Sequence, residues 1–179
     1  MVIKRLGRLG TLPVAATVLT GTLALYIALV AFGNITDFDT NRDFVRHVLA
    51  MDTTFKDDDL MWRAIESRTV QDIAYIGIIA WETLAALALI GGTALWVRGL
   101  WRGGFAGARR LSTLGLLMLM LLFGAGFIAI GGEWFAMWQS SKWNGLEPAG
   151  RNFILAGFTL VVLHLPPQWW DRPGHQPAA

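Results

Sequence analysis

The sequence predicts an all-α protein, a four-helix transmembrane bundle with a short helical extracytoplasmic lid between spans one and two. The first observation is composition, since the 179 residues are 54% hydrophobic and only 16% charged, which is typical of a polytopic membrane protein. The second is that four stretches are long and apolar enough to cross a hydrocarbon core of about 30 Å, which needs about 20 helical residues. The third is the absence of strand alternation, because a backbone in lipid must satisfy its own hydrogen bonds.

The chain is expected to form one integral membrane domain over residues 1–179. An external helical connection is expected at 34–72, and a flexible tail at 168–179. The predicted spans are residues 11–33, 73–97, 111–132 and 152–166, of which the last is the shortest.

The distribution of charge predicts the orientation of the spans. Basic residues without acids precede the first span and separate spans two and three: Lys4, Arg5, Arg8, Arg98, Arg102, Arg109 and Arg110. The positive-inside bias places these segments, and therefore both termini, in the cytoplasm. Most acidic residues lie in the first and third connections, which would be periplasmic in a Gram-negative cell. The predicted location is the bacterial inner (cytoplasmic) membrane.

The connection 34–72 is predicted to be helical rather than irregular. In TNRDFVRHVLAMD, apolar residues recur at helical spacing, and Thr40 with Asp43 forms a capping-box start. A second start at Thr54 and Asp57 would place Met61 on the apolar face of a further short helix. Two amphipathic helices on the outer membrane face are therefore expected.

Tryptophans mark the predicted membrane boundaries. Indole prefers this region because its ring is apolar while its N–H needs a polar partner. Trp96, Trp101, Trp169 and Trp170 are interpreted as the belt on the cytoplasmic side. Glu133 at the outer boundary would remain hydrated or pair with Arg42, Arg46 or Arg63. The candidate external interface consists of Glu133, Trp134, Trp138, Trp143, Trp62 and Arg63.

Glu82 is the acidic residue that the second span buries. Counting about 1.5 Å per residue from the start of that span places it close to the membrane centre, where an acidic group is a candidate for function by default. The same depth on neighbouring spans brings Tyr26, Thr22 and Thr159 to its level. Three interpretations stay open: a protonated, hydrogen-bonded structural residue, a binding site for a lipid or quinone-like head group, and a proton or ion path.

Small residues predict how the helices associate, because they permit close backbone approach in lipid. We expect spans two and three to form a tight hairpin. The small residues concerned are Gly77, Ala80, Ala85, Ala88 and Gly92 on span two and Gly124, Ala125, Ala129 and Gly131 on span three.

Several site classes find no support in the sequence. The chain contains no cysteine, which excludes thiolate chemistry. His47, His164 and His175 are expected at different levels, so a haem held by two histidines is not predicted. The basic residues form no stripe with interleaved aromatics, which argues against nucleic acid. No catalytic residue, metal site or cofactor is predicted.

Three motifs carry a resemblance to a known family. FVRHVLAMDTTF at 44–55, WRAIESR at 62–68 and GGEWFAMWQSSKWNG at 131–145, set in four hydrophobic spans, resemble a family of small predicted bacterial integral membrane proteins whose function is unknown. The resemblance covers nearly the whole chain, up to about Pro167. It implies a four-span architecture and no activity.

Two classes of function follow. The first is a non-catalytic accessory or assembly subunit, which presents the outer connections to a larger membrane complex such as a respiratory one, or to another copy of the chain. The second is a small transporter or a lipid- or quinone-binding membrane protein that uses Glu82. An enzyme acting on lipids, with Glu133 and His47 as acid and base, is a third and weaker hypothesis, because nothing in the sequence places the two side chains together.

Overall fold

The structure, a computed structural model, describes residues 10–166 and Trp170. Five helices account for most of this part of the chain. They are α1 (Leu12–Thr36), α2 (Phe38–Ala50), α3 (Arg68–Arg102), α4 (Ala106–Trp134) and α5 (Leu146–Leu163). Single 3₁₀ turns lie at Met61–Arg63 and Met137–Gln139. The predicted all-α class is confirmed, since the described residues contain no strand.

Four of the helices, α1, α3, α4 and α5, are long and apolar enough to cross a membrane. Their ends differ from the predicted spans, most clearly at α3, which begins five residues before Ile73 and continues to Arg102. At 1.5 Å per residue, 35 residues extend about 52 Å, well beyond a core of about 30 Å. The two sets of ends differ because hydropathy marks only the apolar residues, whereas helical hydrogen bonding in α3 continues into the polar residues on either side, as far as Arg102.

The helices pack as neighbours in chain order. Helix α3 lies against α1 on one side and α4 on the other, and α5 packs against α4 and α1. We call the end that carries α2 the lid end, and the end that carries the 103–105 loop the basic end. The predicted close approach of spans two and three is found at Gly92, where an added Cβ would clash with Ser112. Gly77 has open space around it instead.

Helix α4 changes its hydrogen bonding along its length. Ala106–Met120 is α-helical, whereas Leu121–Trp134 is π-helical, and the i to i−5 pattern continues where the Phe135 N–H donates to the Ile130 carbonyl at 3.0 Å. A π-helix is wider than an α-helix and usually lasts a single turn. The predicted third span, 111–132, covers most of this 14-residue stretch, but its π-helical hydrogen bonding was not predicted.

The lid is the chain between α1 and α3, residues 37–67. Its first predicted helix is found as α2, which buries Val45 against Tyr75 and Ile79. The predicted start is wrong, because α2 begins at Phe38 and the hydroxyl of Thr40, inside the helix, donates to the Asp37 carboxylate. The second predicted helix is wrong, because only the 3₁₀ turn at Met61–Arg63 forms there. The Thr54 hydroxyl bonds back to the Met51 carbonyl at 2.8 Å instead of capping a new helix.

Candidate functional site

Glu82 lies on α3 with 3% of its surface exposed. Its Oε2 accepts a hydrogen bond from the Asn34 amide at 2.7 Å. The Asn34 Oδ1 in turn accepts one from the Asn41 amide at 2.6 Å. A chain of three polar side chains therefore connects α3, the last turn of α1 and the lid helix α2.

Tyr75 completes this network, which we call the Glu82 network. Its hydroxyl donates to the backbone carbonyl of Asn34 at 3.3 Å. That carbonyl belongs to the last turn of α1, where helix geometry leaves acceptors without an internal partner. Asn34 thus makes three of the contacts that join α1 to α2 and α3, and its exchange would disturb all of them.

The residues predicted beside Glu82 have other partners. The Tyr26 hydroxyl donates to Asn152 Oδ1 at 3.0 Å, which joins α1 to α5. Thr159 bonds within its own helix to the Leu155 carbonyl at 2.9 Å, and Thr22 is exposed. Counting depth along antiparallel spans assumed helices without tilt and ended the first span before Asn34. It therefore missed the residue whose amide donates to the Glu82 carboxyl group. An asparagine at the end of an apolar run was the available signal.

At the lid end, Arg63 contacts two tryptophans that also contact each other. Its guanidinium carbon lies 4.8 Å from the Trp134 ring centre and 5.6 Å from that of Trp62. The two rings meet edge to face at 5.5 Å, and Arg63 Nη1 donates to the Trp134 carbonyl at 3.3 Å. This arrangement connects the lid to the end of α4, although 71 residues separate them in sequence.

A second aromatic pair also connects the lid to the segment that follows α4. Phe55 meets Trp138 edge to face at 5.9 Å, and the Phe55 N–H donates to Gln139 Oε1 at 2.9 Å. All four rings are exposed, Trp62 by 70% and Phe55 by 72%. We call the five side chains the aromatic patch: Phe55, Trp62, Arg63, Trp134 and Trp138.

Glu133 does not make the ion pairs considered for it. It is exposed, and within the described residues no arginine lies within 4 Å of its carboxyl group. Arg42 pairs with Asp39 at 2.8 Å, and Arg46 pairs with Asp72 at 2.8 Å. Hydrogen bonds from this guanidinium to Asp72 raise the pKa of Arg46 above its ordinary value.

Trp143 lies apart from the aromatic patch. It stacks on His47 at 4.6 Å and meets Phe44 edge to face at 6.2 Å. His47 Nδ1 lies 2.7 Å from Asp52, so the histidine has an acidic neighbour other than Glu133. Within the described residues, the aromatic rings that Trp143 contacts therefore belong to lid side chains outside the aromatic patch.

At the basic end, Trp96 is buried whereas Trp101 is exposed. Trp96 is fully buried, donates to the Ser112 hydroxyl at 3.0 Å and stacks on Phe105 at 5.4 Å and Trp170 at 5.5 Å. The interpretation of Trp96 as a boundary residue is therefore wrong, whereas Trp101 is 83% exposed. Trp169, His175 and the rest of the predicted tail lie outside the described residues.

An apolar cleft of about 180 Å³ lies between α2, the first part of α3 and the π-helical part of α4. The lining residues are Phe44, Val45, Val48, Leu49, Ala74, Ile78, Leu122, Gly126, Phe127, Ile130, Gly131, Phe135 and Met137.

The described residues contain no group of three His, Asp or Glu side chains placed to hold a metal ion. Comparison with known protein families gives a match over most of the chain. No curated protein and no solved structure matches the chain. The model of a family described as "Predicted small integral membrane protein (DUF2165)" matches residues 12–166. The chain therefore belongs to this DUF2165 family of predicted small integral membrane proteins.

Proposed function

We propose that the protein is a non-catalytic accessory or assembly subunit that binds a larger membrane complex through the aromatic patch. The observation that carries this proposal is the exposure of four aromatic rings in two edge-to-face pairs, one of which contacts Arg63. Trp62 in that pair is exposed by 70%. Tryptophan and arginine are enriched among the residues that contribute most to binding at protein interfaces. Rings that tertiary contacts already hold in place lose little conformational freedom on binding.

The charge on Arg63 defines the chemistry of the partner. Within the described residues no carboxylate lies within 4 Å of its guanidinium, unlike those of Arg42 and Arg46. Its Nε is buried and has no hydrogen-bond acceptor. The partner is therefore a membrane protein that presents a carboxylate or carbonyl oxygens between apolar side chains. Such a group would complement the charge and direct the orientation of binding.

The Glu82 network supports this role by holding the lid. Asn41 belongs to α2, and its hydrogen bonds through Asn34 to Glu82 connect the lid to the buried face of α3. The patch takes two of its rings from the lid and two from residues 134–138. Its shape therefore depends on where the lid is held relative to α4.

The patch faces the periplasm in the proposed orientation. Arg98, Arg102, Arg109 and Arg110 lie around the basic end, and the positive-inside bias places this end and both termini in the cytoplasm of a bacterial inner-membrane protein. Reporter fusions at Trp62 and Gly104 test this arrangement. Activity of a periplasmic reporter at Gly104 would contradict it.

Photo-crosslinking tests the partner. A photoreactive amino acid at Trp138 is expected to capture one discrete membrane protein in cells, and the same protein should purify with the chain in gentle detergent. The double variant Trp62→Ala with Arg63→Ala should lose this adduct, whereas Trp101→Ala, which removes an exposed ring at the other end, should keep it. Recovery of the chain as a monomer without an adduct at Trp138 would overturn the proposal.

A second function is favoured by one observation at Glu82. Within the described residues, only Asn34 donates a hydrogen bond to this buried carboxyl group. The carboxyl group is therefore incompletely paired, and an acid of this kind inside a membrane span is a candidate site for proton transfer or for binding an amphiphile. A small transporter or a lipid- or quinone-binding protein would use it. Loss of such an activity in Glu82→Gln, with the adduct at Trp138 unchanged, would favour this second function.

A further inference from the structure

We propose that the apolar cleft between α2 and the π-helical part of α4 holds one acyl chain of a phospholipid from the surrounding bilayer. The cleft contains none of the residues of the aromatic patch. This proposal therefore stands independently of the accessory role.

The walls of the cleft exclude polar ligands. Every lining side chain is apolar, with Val48 and Leu49 on the lid side and Ile78 on α3. A polar ligand or an ordered water needs two to four polar partners, and these walls supply no polar side chain. The occupant therefore has to be hydrocarbon.

Two glycines of α4 keep the cleft open. An added Cβ at Gly126 would lie 3.8 Å from the nearest atom of Leu122, and one at Gly131 would lie 3.5 Å from Met137, which are ordinary van der Waals distances. Neither position therefore needs glycine for a close helix approach. The missing side chains leave volume between α4 and α2.

The mouth of the cleft identifies the source of the hydrocarbon. Among the lining residues Ile130 alone is exposed, by 52%. It lies on a candidate membrane span whose exposed side chains include Leu117 and Leu121. In an integral membrane protein such a face contacts lipid, so acyl chains of the bilayer lie directly at the mouth.

The volume of the cleft limits what enters. At about 180 Å³ it slightly exceeds the roughly 150 Å³ apolar cavity that binds benzene. It accommodates part of one chain, while the head group and the second chain stay in the bilayer. The lid helix would then rest partly on lipid, which makes the bound chain a structural component of the lid end.

Photoreactive lipid provides the test. The full chain is reconstituted in phosphatidylethanolamine vesicles that contain phosphatidylethanolamine with a diazirine in one acyl chain, and adducts are mapped by mass spectrometry after illumination. We expect adducts on cleft residues such as Phe127 and Leu49, in addition to exposed residues such as Leu117. In Gly126→Leu, which fills the cleft, the cleft adducts should fall about tenfold while those at Leu117 persist.

Gly77→Leu is the matched control, because an added Cβ at this exposed glycine of α3 meets no atom within 4 Å and the residue does not line the cleft. It should keep the cleft adducts. Ala74→Phe fills the same space from α3 and replaces Gly126→Leu if that variant does not fold. The proposal is overturned if adducts in the natural sequence are confined to exposed residues, or if cleft adducts persist in both folded filling variants. It is also overturned if a photoreactive isoprenoid quinone, and not the phospholipid, labels the cleft residues.

Discussion

The lid end and the basic end each hold a cluster of tryptophan with arginine, and the two clusters differ in how far their rings are exposed. At the lid end, Trp62 and Trp134 contact Arg63 and each other, and both rings remain exposed. At the basic end, Trp96 is fully buried in a stack with Trp170, whose outer face is covered by Arg109 at 4.6 Å. The comparison shows that a tryptophan near the end of a span can be left exposed or buried in packing. Tertiary contacts decide between the two.

Replacing Trp96 should have the largest effect. Trp96→Ala removes a fully buried ring and leaves a cavity, so the free energy of unfolding should fall by about 3–5 kcal/mol. Thermal unfolding in detergent measures the change. Trp101→Ala is the control and should stay within about 0.5 kcal/mol. Equal effects of the two substitutions would mean that the contrast between buried and exposed rings is wrong.

Gly92→Ala tests how tightly the basic end is packed. A methyl group there would clash with Ser112, whose hydroxyl accepts the hydrogen bond from Trp96, so we expect a loss of about 1–3 kcal/mol. Gly77→Ala, on the same helix toward the lid end, has open space and should stabilise by about 0.5–1 kcal/mol, because alanine favours a helix more than glycine does. A stabilised Gly92→Ala variant would contradict the close approach of α3 and α4.

Glu82→Leu tests whether polar contacts hold the lid end. It would leave the Asn34 amide without its acceptor, and the expected loss is about 1–2 kcal/mol, the range for hydrogen bonds between membrane helices. Hydrogen exchange should accelerate in α2 in particular. Glu82→Gln keeps a neutral acceptor and should be nearly unchanged. A strongly destabilised Gln variant would contradict the hypothesis that Glu82 acts structurally as a neutral acid.

Trp62→Ala should have the smallest effect on stability. Its ring is largely exposed and Arg63 keeps its contact with Trp134, so the free energy of unfolding should change by about 0.5 kcal/mol or less. The yield of the partner adduct at Trp138 should nevertheless fall markedly. A loss of stability comparable to that of Trp96→Ala would place Trp62 among packing residues and remove the contrast between the two ends.

The elements that the sequence predicts well are those with a local signal. Each apolar window coincides with one long helix, and the spacing of Val45 and Val48 marks α2. The second lid helix was predicted from the same kind of pattern. It does not form, because the chain turns at Lys56, whose φ is 56°, and Asp57 bonds the backbone of Asp59. A pattern of a few residues does not outweigh such local turn contacts.

The candidate site was only partly predictable. Glu82 stands out in the sequence because an acid inside an apolar span needs a partner. Its partner Asn34 lies 48 residues away, and whether the two meet depends on the tilt and offset of α1 against α3. The meeting of Trp62 with Trp134 likewise depends on how the lid folds back over α4.

The sequence by itself determined that the protein lies in a lipid bilayer and that it is helical. The free energy of placing side chains in lipid is a sum over residues, so it follows from the composition and order of the sequence. It also determined the number of candidate spans and the family. Only the tertiary structure decided which side chains are buried, which polar groups meet and where space remains between helices. These properties depend on distances between residues that are far apart in the chain, and the packing of the helices against one another fixes those distances.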